Sequence, residues 1–132
     1  ALASLTLYDM YSLHPYEYIY FNRASGGLAR QAKRFDTDYW GATYREGLDW
    51  VVRNVDPGGS APIRVWTCFG NHQLTYYRGR WNTPRFLIAK SVDASEIRIA
   101  FTRLGCHEGR GDVLHIVERQ GAPLLYVMRR PR

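Results

Sequence analysis

Asp36-Thr-Asp38 is the first place where residue type and spacing in this sequence suggest chemistry. Two carboxylates two residues apart share a hard divalent cation when a buried strand delivers them to its end. The residues before them, Gln31-Ala-Lys-Arg34, are polar and basic instead. That context predicts a loop in which Asp36 and Asp38 pair with neighbouring arginines or cap a helix. Tyr39 and Trp40 follow at once, with Tyr44 and Trp50 beyond Gly41. Aromatic faces stack on sugar rings and on bases; core packing is the competing reading for Trp40 and Trp50. His72 stands just after Gly70-Asn71 at the expected end of a strand, where α/β sheets bind ligands, and a lone histidine there also serves as a plain hydrogen-bonding residue.

Other reactive arrangements are missing from the chain. There is no Cys-x-x-Cys pair and the four histidines lie far apart, so no metal cage is expected. No nucleophile elbow, Gly-rich phosphate loop or informative His–Asp spacing supports hydrolysis. Gly105-Cys-His-Glu-Gly-Arg-Gly111 resembles a phosphate loop only on the surface; it lacks the Lys-Ser/Thr end and a following helix, and reads as a turn. Neither catalysis nor a cofactor is expected of this chain by itself. Cys68 and Cys106 sit beside apolar residues, which favours two free thiols in a core. Their pairing would close a long loop and is permitted in an oxidising compartment.

The elements that must position these side chains are legible from their periods. Residues 1–9 are helix-compatible up to the break at His14-Pro15. Tyr16 to Asn22 fits a short helix or an extended segment, with a helical turn broken at Ser25-Gly26-Gly27 as the favoured reading. Thr43-Tyr-Arg-Glu46 has the form of a capping box, and Tyr44, Leu48, Val51 and Val55 then fall on one helical face. With Trp40, the first three of these are expected to be buried against a sheet. Asp56-Pro-Gly-Gly-Ser60 ends that helix. Ile63 to Phe69 reads as a buried strand, Gly70 to Arg80 as a helix, and Arg85 to Ala89 as the strand completing the unit. Ile97 to Thr102 is a further strand, and Gln120-Gly121 joins Val113–Glu118 to Pro123–Arg129 as a hairpin. The expected fold is α/β, with mixed α+β as a variant: a small mixed sheet with flanking helices and a C-terminal β-hairpin, in one domain over 1–132.

With 132 residues and 45% hydrophobic content the chain can bury a real core. Its net charge of +6 reads either as a solvated basic surface or as attraction to an anionic neighbour: nucleic acid, lipid headgroups or a phosphorylated substrate. Basic clusters stand at Arg30 to Arg34, Arg78 to Arg85 and Arg129 to Arg132. No apolar run reaches the roughly 18 residues needed to cross a bilayer. Ala1-Leu-Ala-Ser-Leu-Thr-Leu7 nevertheless reads like the end of a longer apolar helix, which makes 1–13 the expected continuation of an upstream membrane helix. Tyr16, Tyr18, Tyr20 and Phe21 are too many aromatics for one buried face, and with Asn22 they are candidates for a substrate-binding or interface surface.

The run His14-Pro-Tyr-Glu-Tyr-Ile-Tyr-Phe-Asn-Arg23, then Gly26-Gly27, then Phe35-Asp-Thr-Asp-Tyr-Trp-Gly41 and Tyr44-Arg-Glu-Gly-Leu-Asp-Trp50 resembles the segment after the last membrane helix of bacterial polytopic glycosyltransferases of the protein-mannosyltransferase and aminoarabinose-transferase type. The resemblance covers the first half of the chain. It implies a C-terminal domain on the extracytoplasmic (periplasmic) face of the inner membrane, in an enzyme that uses polyprenyl-phosphate sugars. The catalytic carboxylate of such enzymes lies in an early loop between membrane helices, outside this chain. The implied role is to assist acceptor recognition or to cover the catalytic cavity. The implied partners are the membrane portion of the same chain, an anionic lipid surface, and a lipid-linked sugar or glycan acceptor. A stand-alone carbohydrate- or phosphoglycan-binding module is the alternative from the aromatics. Nucleic acid is not an expected partner, because no aromatic sheet motif or basic recognition helix is present.

Overall fold

Between Ile63 and Arg129 five strands form one mixed sheet: β1 (Ile63–Trp66), β2 (Phe86–Ile88), β3 (Ile97–Phe101), β4 (Asp112–Arg119) and β5 (Ala122–Arg129). Their order is β2-β1-β3-β5-β4. β1 runs parallel to both neighbours, with Ile63 opposite Phe86 and Val65 opposite Ile97. β5 is antiparallel to β3 and to β4. The computed structural model describes residues 2–56, 58–109 and 111–131, without the side chain of Leu2. Ala1 of the expected N-terminal helix, Pro57 of the helix terminator, Arg110 of the Gly105–Gly111 turn and Arg132 of the last basic cluster lie outside the described residues.

Four α-helices accompany the sheet among the described residues: α1 (Leu2–Leu13), α2 (Gly27–Gln31), α3 (Tyr44–Asn54) and α4 (Asn71–Arg80). The strand-helix-strand unit β1-α4-β2 and the hairpin are as the sequence predicts. In the hairpin turn both Gln120 and Gly121 have positive φ, at 49° and 73°, the backbone of the two-residue turn whose twist matches antiparallel strands. α1 continues past Asp9 to Leu13. Tyr16 to Asn22 contains only a 3-10 turn at Glu17–Ile19, and a second at Arg23–Ser25 leads into α2.

α3 touches α4, β3, β4 and β5, and α4 touches β2, so both helices cover the same face of the sheet. Tyr44, Leu48 and Val51 are fully buried there, over Val65, Ile97, Ile99, Leu125 and Val127. Burying each such aliphatic side chain contributes about 1.5–3 kcal/mol. Gly47 permits the close approach, since a Cβ at this position would lie 2.5 Å from Leu125 Cδ2. Trp50, half-buried, stacks on His115 of β4 at 4.8 Å. On the opposite face the chain after β3 folds back, so that His107 stacks on Tyr126 at 5.1 Å.

Two expectations fail at the start of α3. Thr43 makes no side-chain cap, and Glu46 does not reach back to it. The Asp38 carboxylate takes the free amides instead, accepting from Ala42 N at 3.0 Å and Thr43 N at 3.1 Å, and Thr43 Oγ1 donates to it as well. An ionised oxygen is the stronger acceptor at a helix N-terminus. Glu46 is thereby free to accept from Tyr16 Oη and Arg119 Nη2, both at 2.8 Å. Trp40, expected to be buried, is 71% exposed, because Gly41 turns the chain inward only after it.

The third correction concerns the cysteines. Cys68 and Cys106 are joined in a disulfide, not held as two free thiols. Cys68 follows β1 and Cys106 follows β3; the parallel pairing of those strands sets the two Cα atoms 6.1 Å apart, within the range a disulfide spans. Apolar neighbours in sequence could not reveal that adjacency.

Candidate functional site: an aromatic ledge at the strand ends

The chain leaves β1 for β2 on one side and later returns to β3 on the other, so the carboxyl ends of β1 and β3 flank a switch point of the sheet. Such a point is where open α/β sheets hold ligands. The loops that begin there carry Phe69 and Arg103, and the disulfide ties them together. A third segment, Asp36 to Gly41, lies against the Arg103 loop and the first turn of α4. Arg103 places its guanidinium 4.0 Å from the centroid of the Tyr39 ring and 5.9 Å from that of Phe69. Tyr39 and Trp40 meet edge to face at 5.1 Å.

Each part of this ledge is held from beneath. The Phe69 carbonyl accepts from Tyr44 Oη and Thr67 Oγ1, both at 2.8 Å, and Tyr44 and Thr67 are buried. Burial, opposed by the Thr67 hydroxyl, pushes the Tyr44 phenol well above its usual range, so it stays a neutral donor. The Trp40 carbonyl accepts from Gln73 Nε2 of α4. Gly41 has φ +67°, and a Cβ there would meet the Tyr44 ring at 2.7 Å; a side chain would force the Tyr39-Trp40 segment off its support. The rings are thus presented on a fixed backbone while staying accessible: Tyr39 is 48% and Phe69 42% exposed.

The residues singled out from the sequence divide into three groups. Tyr39, Trp40 and Asp36 belong to the ledge, Asp36 lying 4.0 Å from Arg103 in an ion pair. Asp38 is 1% exposed beneath it, and its oxygens are occupied by Ala42 N, Thr43 N, Thr43 Oγ1 and Tyr18 Oη. Burial and then the bond to Asp38 raise the Tyr18 phenol above its usual range. Among the described residues no three His, Cys, Asp or Glu side chains converge as metal ligands. His72 is exposed in the first turn of α4, next to Gln73.

The third group is the Tyr16–Asn22 run, which the fold splits. Tyr16 and Ile19 are buried, Tyr20 and Phe21 pack half-buried against the core, and Tyr18 remains near the surface. Tyr16 donates to Glu46 beneath the Arg119 guanidinium, which lies 4.9 Å from its ring centroid. Asn22 accepts from Ser25 N at 2.8 Å and caps the 3-10 turn there. Sequence reasoning missed Phe69 and Arg103. The strand-end rule that pointed to His72 applies equally to both, since each begins a loop at the carboxyl end of a parallel strand.

The ledge can stack on the apolar face of a ring while Arg103, Asp36 and the Tyr39 hydroxyl supply polar contacts at its edge, the chemistry of a sugar subsite. It holds no nucleophile paired with a base. Comparison with protein-family models, with curated proteins and with solved structures returns no match to this chain.

Proposed function

We propose that this chain is a non-catalytic, extracytoplasmic domain of a membrane glycosyltransferase that uses polyprenyl-phosphate sugars, and that the ledge receives the glycan acceptor beside the catalytic cavity. The exposed, backbone-anchored Tyr39, Trp40 and Phe69 around Arg103 carry this reading. Two further observations support it. A disulfide persists in oxidising compartments and is rare in reducing ones. α1 turns Leu5, Leu7, Tyr8 and Tyr11 to solvent, with Tyr11 81% exposed. A helix with this apolar surface and no charged residue before Asp9 suits the headgroup boundary of a bilayer.

α1 is also fastened to the rest of the domain. Arg23 donates to both Asp9 oxygens, at 2.8 and 2.7 Å, and Gln120 Nε2 reaches Ser12 Oγ at 2.7 Å. The bonds from Arg23 hold the Asp9 carboxyl below its usual range. A helix so anchored would fix the ledge at a set height above the membrane. The net charge of +6 adds attraction to anionic headgroups. The same ledge fits a stand-alone carbohydrate-binding module, and the exposed α1 favours the tethered form.

The isolated domain tests the recognition step. Oligosaccharides added to it are expected to shift the Trp40 indole and Phe69 ring resonances, with the Phe69 shift lost in Trp40→Ala, while polyprenyl-phosphate sugar plus acceptor gives no transfer. Transfer by the domain alone, or oligosaccharide shifts confined to residues away from the ledge, would overturn the assignment.

A further inference from the structure

A second concave surface lies between α3 and α4, apart from the ledge. Arg45, Tyr76, Tyr77, Arg80 and Trp81 line a cavity of about 600 Å³. It adjoins a cavity of about 490 Å³ that shares Arg45 and Trp81 and reaches past Glu46, Asp49 and Arg53 to Tyr16. Tyr77 and Trp81 stack at 5.4 Å with 30° between their planes, and Tyr76 meets Tyr77 edge-on at 5.3 Å. The groove thus has an aromatic wall next to two guanidinium groups.

Its charges are unevenly compensated. Arg53 pairs with Asp49 at 3.1 Å, and Glu46 is occupied by Arg119 and Tyr16. Arg45 and Arg80, both exposed, make no ion pair among the described residues, and no carboxylate lines the cavity they share. Two unpaired arginines beside one cavity favour an anion that neutralises both. A phosphate ester carries up to two negative charges, and its oxygens suit guanidinium donors. Glu46 and Asp49 interrupt the positive track at one end, which disfavours a long polyanion.

We propose that this groove binds a phosphorylated sugar, with the phosphate between Arg45 and Arg80 and the sugar ring against Tyr77 and Trp81. The inference does not rest on the reading of the ledge, which lies at the strand ends. The phosphate can be carried by a free sugar phosphate or by a lipid-linked one; the ring-plus-phosphate chemistry is the same.

The test uses the whole 132-residue chain and three soluble probes: glucose 1-phosphate, inorganic phosphate and glucose. Glucose 1-phosphate is expected to bind more tightly than either of the others and to shift the Trp81 indole resonance. Arg45→Gln with Arg80→Gln is expected to weaken it by more than about tenfold, the loss of two charge-assisted contacts, with an unchanged melting temperature because both side chains are exposed. Trp81→Leu should bring glucose 1-phosphate down to the affinity of inorganic phosphate. In a second arm, phosphatidylcholine vesicles carrying a polyprenyl phosphate sugar report the lipid-linked source through recruitment that glucose 1-phosphate displaces. Equal binding of glucose 1-phosphate and inorganic phosphate, binding that survives the double substitution, no binding of any probe, or displacement only by an oligonucleotide would each overturn the proposal.

Discussion

Breaking the Cys68–Cys106 bond is expected to lower the stability of the domain by about 4 kcal/mol. The bond spans 38 residues, and closing a loop of that length removes conformational freedom from the unfolded chain by roughly this amount. For a chain of this size the loss corresponds to a fall in Tm of about 10–15 °C. The bond also has a local role that its energy does not express, because it joins the loop bearing Phe69 to the loop bearing Arg103. Cys68→Ser with Cys106→Ser is therefore expected to remain folded at moderate temperature yet lose order at the ledge. Thermal unfolding with and without a reductant measures the first effect, and amide hydrogen exchange over residues 67–70 and 102–106 measures the second. An unchanged Tm under full reduction would mean that the two loops are held together by packing alone.

Asp38→Ala is expected to cost roughly 2–4 kcal/mol, the sum of a lost helix cap and buried donors left without an acceptor. The carboxylate accepts from Ala42 N, Thr43 N, Thr43 Oγ1 and Tyr18 Oη, so its removal strands three groups at the N-terminus of α3 and releases Tyr18. Asp38→Asn retains one acceptor oxygen but turns an NH2 group toward donors, so it should recover only part of the loss. Asp36→Ala, which removes an ion pair at 4.0 Å to a partly exposed arginine, should change stability by less than about 1 kcal/mol. Urea denaturation of the three variants separates these cases. If Asp38→Ala left stability intact and abolished ligand binding, the carboxylate would belong to the functional surface and not to its support.

The sequence carried most of this fold because its local signals agree with one another. Tyr44, Leu48, Val51 and Val55 keep the period of one helical face, and all four are buried. The β-branched run at Ile63 and the Gln120-Gly121 turn likewise act within a few residues of themselves. What escaped the sequence depends on contacts between distant segments. The capping box at Thr43 was plausible locally and lost to Asp38, a stronger acceptor five residues upstream. The disulfide required knowing that β1 and β3 are neighbours. Trp40 reads as core when grouped with the Tyr44–Val51 face, and the positive φ at Gly41 puts it outside. Of the ledge, Asp36, Tyr39 and Trp40 were legible from residue type; Phe69 and Arg103 come into view only when the strands are ordered.

The measurement that tests the central proposal most directly is steady-state transfer by the complete reading frame in membranes, from a polyprenyl-phosphate sugar to a glycan acceptor. The ledge is expected to act on the acceptor alone. Trp40→Ala with Phe69→Ala should therefore raise the acceptor KM by about tenfold, the worth of stacking contacts of this kind, with kcat and the donor KM nearly unchanged. Absence of transfer by the wild-type protein, or an acceptor KM that the double substitution leaves unaltered, would contradict the account.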